Sequence, residues 1–517
     1  MAEPLSRVNR QLVVGIAVVV SAATVSSATF NFVVNPMTED LGASEQQTSL
    51  LRQLPSLGSL LVIFVIGTWG VRLGSRRIIT LSAIAMAIGY LLMTLAPVMG
   101  AASAGMLLGS LGKQGLTVIA VSLIASKLTS EDDRATGFAT LGAVTPMVYL
   151  VAPLVATVVL ELSSWRAITA LWGVAALFAV VASRRLLPPD SESRAESGEM
   201  WTPALAGLVL ASSVQWLNQG SYAGWMSAVA LTWMGISLIA LLALFLLMRR
   251  IDSPSLDLSL FRKGGFPLLI IVVALIPFTN LWFYFASGTQ IVYGYSAVVA
   301  ALLMVPAQLF GVIGAALTRK WIQDRGLRFA GSVMLTFAGG ALLLCTFQSV
   351  DTPVIFPVLV LCLYTAAFTG AMITLTNQIM NLADRGAEGS ASALRGAAGS
   401  LGTAVGVVVL TSVTFGVATT TFSAALEEQG QDPAQATAIV DELQDGLSSE
   451  EISARNSIPL DTIELIDDDL KQAMIQAYRA QGLVGGCVSL LSALVFFFNR
   501  SGHYQTARRE DEKTADR

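Results

Sequence analysis

Three cations set within apolar runs are the residues of this sequence best placed to do chemistry: Lys113, Arg52 and Arg395. A charge at the centre of a bilayer costs roughly 2.5–3.5 kcal/mol on insertion scales, so an intramembrane cation needs a reason. Lys113 falls midway along its run. Its ammonium either faces a wet chamber and attracts an anionic group, or donates to helix carbonyls at an inter-helix gap. Arg52 and Arg395 lie nearer the ends of theirs, where long stems can carry a charge to the interface. Contact with a substrate and simple snorkelling stay open for both.

A second set of candidates is uncharged: Asn31, Gln53, Gln114, Tyr149, Asn280, Trp282, Tyr284, Gln308 and Tyr364. Amides and aromatics within apolar runs can line a binding chamber. They can equally bond helix to helix or form the interfacial aromatic belt. All 35 acidic residues lie outside the runs. A titrating carboxylate that alternates between a proton and a cationic substrate is therefore missing from the expected interior. His503 is the sole histidine and sits in the polar tail, which removes triads and histidine-ligated zinc. Cys345, Cys362 and Cys487 lie inside apolar runs, an arrangement that argues against a disulfide framework. No phosphate-binding loop is present, so neither ATP as direct energy source nor any other cofactor is expected. The glycines at 105, 109, 112 and 115, and at 396, 399, 402 and 406, recur at the spacing that lets helix backbones approach closely.

The elements that must position these residues follow from composition. The chain has 517 residues, 54% hydrophobic and only 13% charged, with a net charge of −4 and a mean hydropathy of +0.67. Fourteen apolar runs of roughly 20 residues are each long enough to cross a hydrocarbon core of about 30 Å as a helix. Strands are excluded, because the alternating pattern of a barrel is absent. The expected class is an all-α polytopic membrane protein. With the N-terminus inside, the Lys and Arg residues flanking the spans fall on one side, and both termini are expected to be cytoplasmic. Residues 1–10 form the N-terminal tail, 11–185 a six-helix bundle, 186–201 a linker, and 202–248 an extra two-helix hairpin. An amphipathic linker, 249–265, leads to a second six-helix bundle, 266–498, interrupted by an acidic external insertion at 417–475; 499–517 is the tail. The insertion carries 13 acids against Arg455 and Lys471. It reads either as a helical hairpin over the outer mouth, serving as a gate, a partner-docking surface or a collector of cations, or as a solvated acidic linker with some helix.

The two bundles repeat a motif. After the second span the chain reads GTWGVRLGSRR, and after the tenth GAALTRKWIQDRGLR. Both are glycine-to-basic turns at the same place in a six-helix set. Repeated halves facing one another are the architecture of alternating-access transporters, whose binding site lies near the midplane.

These residues carry a resemblance. Over essentially its whole length the chain resembles the fourteen-helix drug/proton antiporter branch of the major facilitator superfamily. Gly67, Arg72, Gly74, Arg76 and Arg77 resemble the loop motif between its second and third helices, and Asp324, Arg325 and Gly326 the matching turn of the second half. Gln114-Gly115 resembles the end of the fourth-helix motif. Ala152-Pro153, followed by Trp165-Arg166, is similar to the fifth-helix antiporter motif, and Gly389 to Gly406 to the penultimate helix. The resemblance implies a major facilitator fold of 14 transmembrane helices arranged 6+2+6 with pseudo-twofold halves. It also implies that Asn280, Trp282 and Tyr284, on the first helix of the second half, and Asn31, on the corresponding helix of the first, line the chamber. The departures are specific. Val71 stands at the aspartate of the loop motif, Leu111 at the fourth-helix arginine, Ala152, Ala156 and Thr157 at glycines of the fifth helix, and Ser27 near the acidic position of the first.

The expectation is a secondary active transporter in the plasma membrane that exports an amphiphilic or lipid-like compound, neutral or anionic. Its partners are membrane lipids and that small amphiphile, with an external partner possible at 417–475 and no nucleic acid. The alternatives are a proton-driven multidrug antiporter of the usual family type, and a non-transporting assembly or binding protein. An enzyme is not expected, because no extramembrane segment carries a nucleophile, base and orienting group at readable spacing.

Overall fold

The computed structural model describes residues 6–498 except 129, 191–198, 252–257, 279–280, 296, 385–386, 429–448 and 457–459. All regular structure among the described residues is helical: α1 (Arg7–Asp40), α2 (Glu45–Leu73), α3 (Ser75–Thr94), α4 (Met99–Lys127), α5 (Glu131–Leu162), α6 (Trp165–Arg185), α7 (Trp201–Ala223) and α8 (Ala228–Met248), then a short 3-10 turn, α9 (Phe266–Phe278), α10 (Leu281–Ile291), α11 (Ala297–Arg325), α12 (Leu327–Leu344), α13 (Ile355–Leu382), α14 (Glu388–Glu428), α15 (Ser449–Asn456) and α16 (Leu460–Phe498). Eleven of the described helices are long and apolar enough to cross a bilayer. The remaining expected runs fall on α7, on α9 with α10, and on α14.

Helix starts follow local chemistry. Ser44 and Gln47 form a reciprocal capping box at α2, Ser130 caps α5 ahead of Glu131, Asp132 and Asp133, and Ser227 caps α8. The three acids favour the positive end of the α5 dipole, as Arg184 and Arg185 favour the negative end of α6. Leu81, Ile88 and Leu92 on α3, Phe178 on α6 and Ile239 and Leu242 on α8 are exposed. Apolar surface of this extent finds its solvent in lipid.

The two halves share a packing pattern. In the first, α2 and α3 pack on α4, α3 on α6, and α1 on α5 and α6; in the second, α11 and α12 pack on α13, α12 on α16, and α9 on α14. The matching turns use one device. Gly74 joins α2 to α3 at φ +93°, and Gly326 joins α11 to α12 at φ +85°, backbone that side-chain-bearing residues rarely adopt. The α7–α8 hairpin leans on α2 and α14 through α7. The glycine stripe of α4 is a packing surface: a Cβ on Gly112 would lie 2.6 Å from the Met86 backbone nitrogen, and one on Gly105 2.7 Å from that of Met93.

Among the described residues, the segment expected as an insertion at 417–475 consists of helix. The distal end of α14 and the first part of α16 continue beyond their apolar stretches, with α15 between them in the chain.

Candidate functional site

The site is built from the orientation of α1. Its Ser26 accepts from Tyr90 Oη at 2.8 Å, and its Thr29 accepts from Trp172 Nε1 at 2.7 Å; the two rings meet edge to face at 5.2 Å. These buried bonds hold one face of α1 against α3 and α6. The face turned away carries Ser27, Asn31 and Asn35, one turn apart and all exposed, although Ser27 sits deep within a 34-residue helix.

Two cations reach this polar stripe. Lys113, at the midpoint of α4 and half-buried, donates from Nζ to Ser27 Oγ at 2.9 Å. Arg52 donates from Nη2 to Asn35 Oδ1 at 2.8 Å. No acid among the described residues lies in the interior of any spanning helix. Those of α1, α2, α5, α11 and α14 fall within three residues of a helix end, and those of α16 within its first ten residues. This exposed face of α1 therefore presents hydroxyl, amide and cationic groups. Ser27 supplies the acceptor, so Lys113 has a neutral partner in place of an ion pair.

The other candidates divide by location. Gln53 Oε1 accepts from Gln215 at 2.7 Å and from Gln219 at 2.9 Å, which fastens α7 to α2. Gln114 is half-buried beside Lys113, and half-buried Tyr149 lies one turn beyond Thr145 on α5. Gln308 and Tyr364 are buried on α11 and α13, and Trp282 packs into the core of the second half. Asn280, and the side chains of Tyr284 and Arg72, lie outside the described residues.

The end of the bundle that holds the start of α1, here the proximal end, is closed across the halves. Arg134 on α5 donates from Nη1 to Asn381 Oδ1 of α13 at 2.8 Å, while Nη2 and Nε bond the carbonyls of Ala125 and Leu128 at 2.8 and 2.6 Å. Ser392 of α14 donates to the Val118 carbonyl of α4 at 2.9 Å. Gly67 of α2 meets Gly389 of α14 so closely that a Cβ would lie 2.6 Å from the Gly389 oxygen. Arg395, one turn beyond Ser392, donates from Nη1 to Thr376 Oγ1 at 2.9 Å.

The proximal turn of the first half has an acid after all, brought from the linker. Asp190 accepts from the Arg76 and Arg77 backbone N–H groups at 2.9 and 3.0 Å, and Arg76 also donates to the Arg184 carbonyl. Asp190 thus caps α3, which starts at Gly74 without a cap from its own first residues. In the second half Arg325 instead lies over the Phe329 ring at 4.8 Å, Gly326 begins α12, and Asp324 precedes them. At the distal end, Trp165 and Arg166 bond Asp40 at 3.1 and 2.5 Å, tying α6 to α1. Arg134, Asn381, Ser392 and Asp190 had no signal in the sequence beyond their polarity, because the bonds Arg134–Asn381, Ser392–Val118 and Asp190–Arg76 each join residues more than 100 positions apart.

Two pseudo-equivalent helical halves, bonded to each other at the proximal end, have the architecture of a polytopic membrane transporter. A family model described as Major Facilitator Superfamily matches residues 14–407, and the chain belongs to that family, whose members are transporters rather than enzymes. The chain is 27% identical over 303 residues to the major facilitator superfamily multidrug transporter mfsC of Aspergillus fumigatus, covering 54% of this chain and 56% of that one. It is 25% identical to the multidrug resistance protein Stp of Mycobacterium tuberculosis, covering 74% and 71%. Among solved structures, the human organic anion transporter MFSD10 (TETRAN) aligns with a TM-score of 0.60 at 16% identity, covering 96% of this chain and all of that one. A bacterial homologue of the iron transporter ferroportin in an outward-facing state aligns at 0.57 and 13% identity, covering 94% and 99%. These two likenesses establish the fold alone.

Proposed function

We propose that the protein is a secondary active exporter of amphiphilic, lipid-like compounds that are neutral or anionic, working by rocking of its two halves. The observation that carries this reading is Lys113: a mid-helix ammonium held by Ser27, in a bundle whose described interior has no carboxylate. Such a chamber attracts an anionic headgroup and gives a cation no counter-charge. With the basic proximal end in the cytoplasm, the closed proximal contacts correspond to the outward-facing member of the cycle.

A second reading, proton-driven multidrug efflux, is favoured by the names of the two curated relatives. It requires a titrating group other than an interior acid, and Lys113 is the candidate. Reconstitution in liposomes separates the two. The first reading expects uptake of an anionic amphiphile to fall in Lys113→Ala and no proton flux to accompany it. Stoichiometric proton movement with a cationic drug would replace it with the second.

A further inference from the structure

Lys113 finds an acceptor, but Arg395 is only partly served. Of its guanidinium, Nη1 donates to Thr376, while Nε is sealed from solvent with no partner. Nε and Nη2 form the side edge of the fork, the edge that matches two oxygens of a carboxylate or phosphate. Arg395 lines a cavity of about 230 Å³ between α5 and the α13–α14 pair. Its walls include Phe138, Leu141 and Thr145 from the first half, and Phe368, Met372 and Thr376 from the second. Thr145 is exposed midway along α5, so the cavity communicates with the chamber side of that helix. The nearest acid along α14, Glu388, lies two turns earlier, roughly 10 Å along the axis. Arg395 is half-buried with no acid bonded to it, and an unsatisfied buried donor such as its Nε asks for an explanation.

We propose that this cavity is an oxyanion site. The Arg395 guanidinium grips a carboxylate or phosphate-class headgroup, and Phe138, Leu141, Phe368 and Met372 receive the apolar chain attached to it. Because α5 belongs to one half and α13 and α14 to the other, an occupant bridges them and stabilises the proximally closed conformer. The site deepens the export reading by naming the headgroup class, yet binding is measured without turnover, so the two ideas fail separately.

The test uses the full chain purified in a neutral detergent, with thermal unfolding and titration calorimetry. The probes are decanoate, inorganic phosphate, decanol and decyltrimethylammonium. Decanoate is expected to raise the unfolding temperature and to bind about tenfold or more weaker to Arg395→Gln, as removal of a bidentate charged contact implies. Arg395→Lys should recover part of the loss. Should Arg395→Gln not fold, the paired variants Thr145→Val and Thr376→Val retain the charge and are expected to weaken decanoate several-fold, since each removes one hydroxyl of the site. Phosphate displacing decanoate would name a free oxyanion as occupant, and decanoate binding alone would name an amphiphile headgroup; both support the site. Equal binding of decanoate to Arg395→Gln, equal binding of decyltrimethylammonium, or no oxyanion binding at all would overturn it. Arg395-dependent binding together with unimpaired transport in Lys113→Ala would keep the oxyanion site and remove the export reading built on Lys113.

Discussion

Lys113 and Arg395 are both cations within apolar helices, and the structure treats them differently. Lys113 sits midway along α4 with a hydroxyl from the same half as its acceptor. Arg395 sits near the proximal seal, bonded to a threonine of its own half and facing the other half across a cavity. The first arrangement satisfies the charge within one half, without a bond that joins the halves. The second ties a charge to the closure of one end. On the proposals made above, position relative to the interface between halves, rather than charge alone, separates the substrate-facing cation from the one whose occupancy depends on conformation.

Breaking the first member of the pair should have the largest effect. Lys113→Ala is expected to reduce transport of an anionic amphiphile at least about tenfold, a change of roughly 1.4 kcal/mol or more in transition-state stabilisation, read as initial uptake rate in proteoliposomes. Lys113→Glu should go further and shift preference toward cationic amphiphiles.

Next come the contacts that set when the Arg395 cavity exists. Arg134→Ala removes a hydrogen bond that crosses the halves and two that anchor it to α4. Charged hydrogen bonds contribute about 1.5–3 kcal/mol each, so the proximally closed population should fall severalfold or more, measured as spin-label distances between α5 and α13. Gly67→Val should act in the same direction. A Cβ there would meet the Gly389 carbonyl, a backbone atom, so closure of this end is expected to be blocked. An unchanged distance distribution in both variants would show that this end is held by other means.

The smallest effect is expected at Asp190, which sharpens the comparison by testing rigidity within one half. Asp190→Ala removes the cap of α3 and should cost about 1 kcal/mol, seen as a fall of a few degrees in unfolding temperature with little change in substrate preference.

Much of the framework was legible in the sequence because lipid imposes simple rules. Apolar run length located the helices, and the glycine-to-basic turns exposed the repeat that Gly74 and Gly326 realise as positive-φ junctions. Lys113 stood out because a charge in mid-span is costly wherever it occurs. The contacts that make the site specific were not legible. Ser27 as the acceptor of Lys113, Asn381 as the partner of Arg134 and Asp190 as the cap of α3 are pairings between distant segments, fixed only by packing. Hydropathy also marked only the apolar part of each helix, so α14 and α16 extend well past the runs that announced them. Gln53, attractive as a chamber-lining amide, is engaged instead in fastening α7.

The most direct test of a chamber with cationic rather than acidic chemistry is uptake of a matched pair of amphiphiles, one anionic and one cationic with the same apolar body, into liposomes containing the wild-type protein or Lys113→Ala. The account predicts that wild type moves the anion and not the cation, and that Lys113→Ala loses the anion. Movement of the cation by wild type, undiminished in Lys113→Ala, would contradict it.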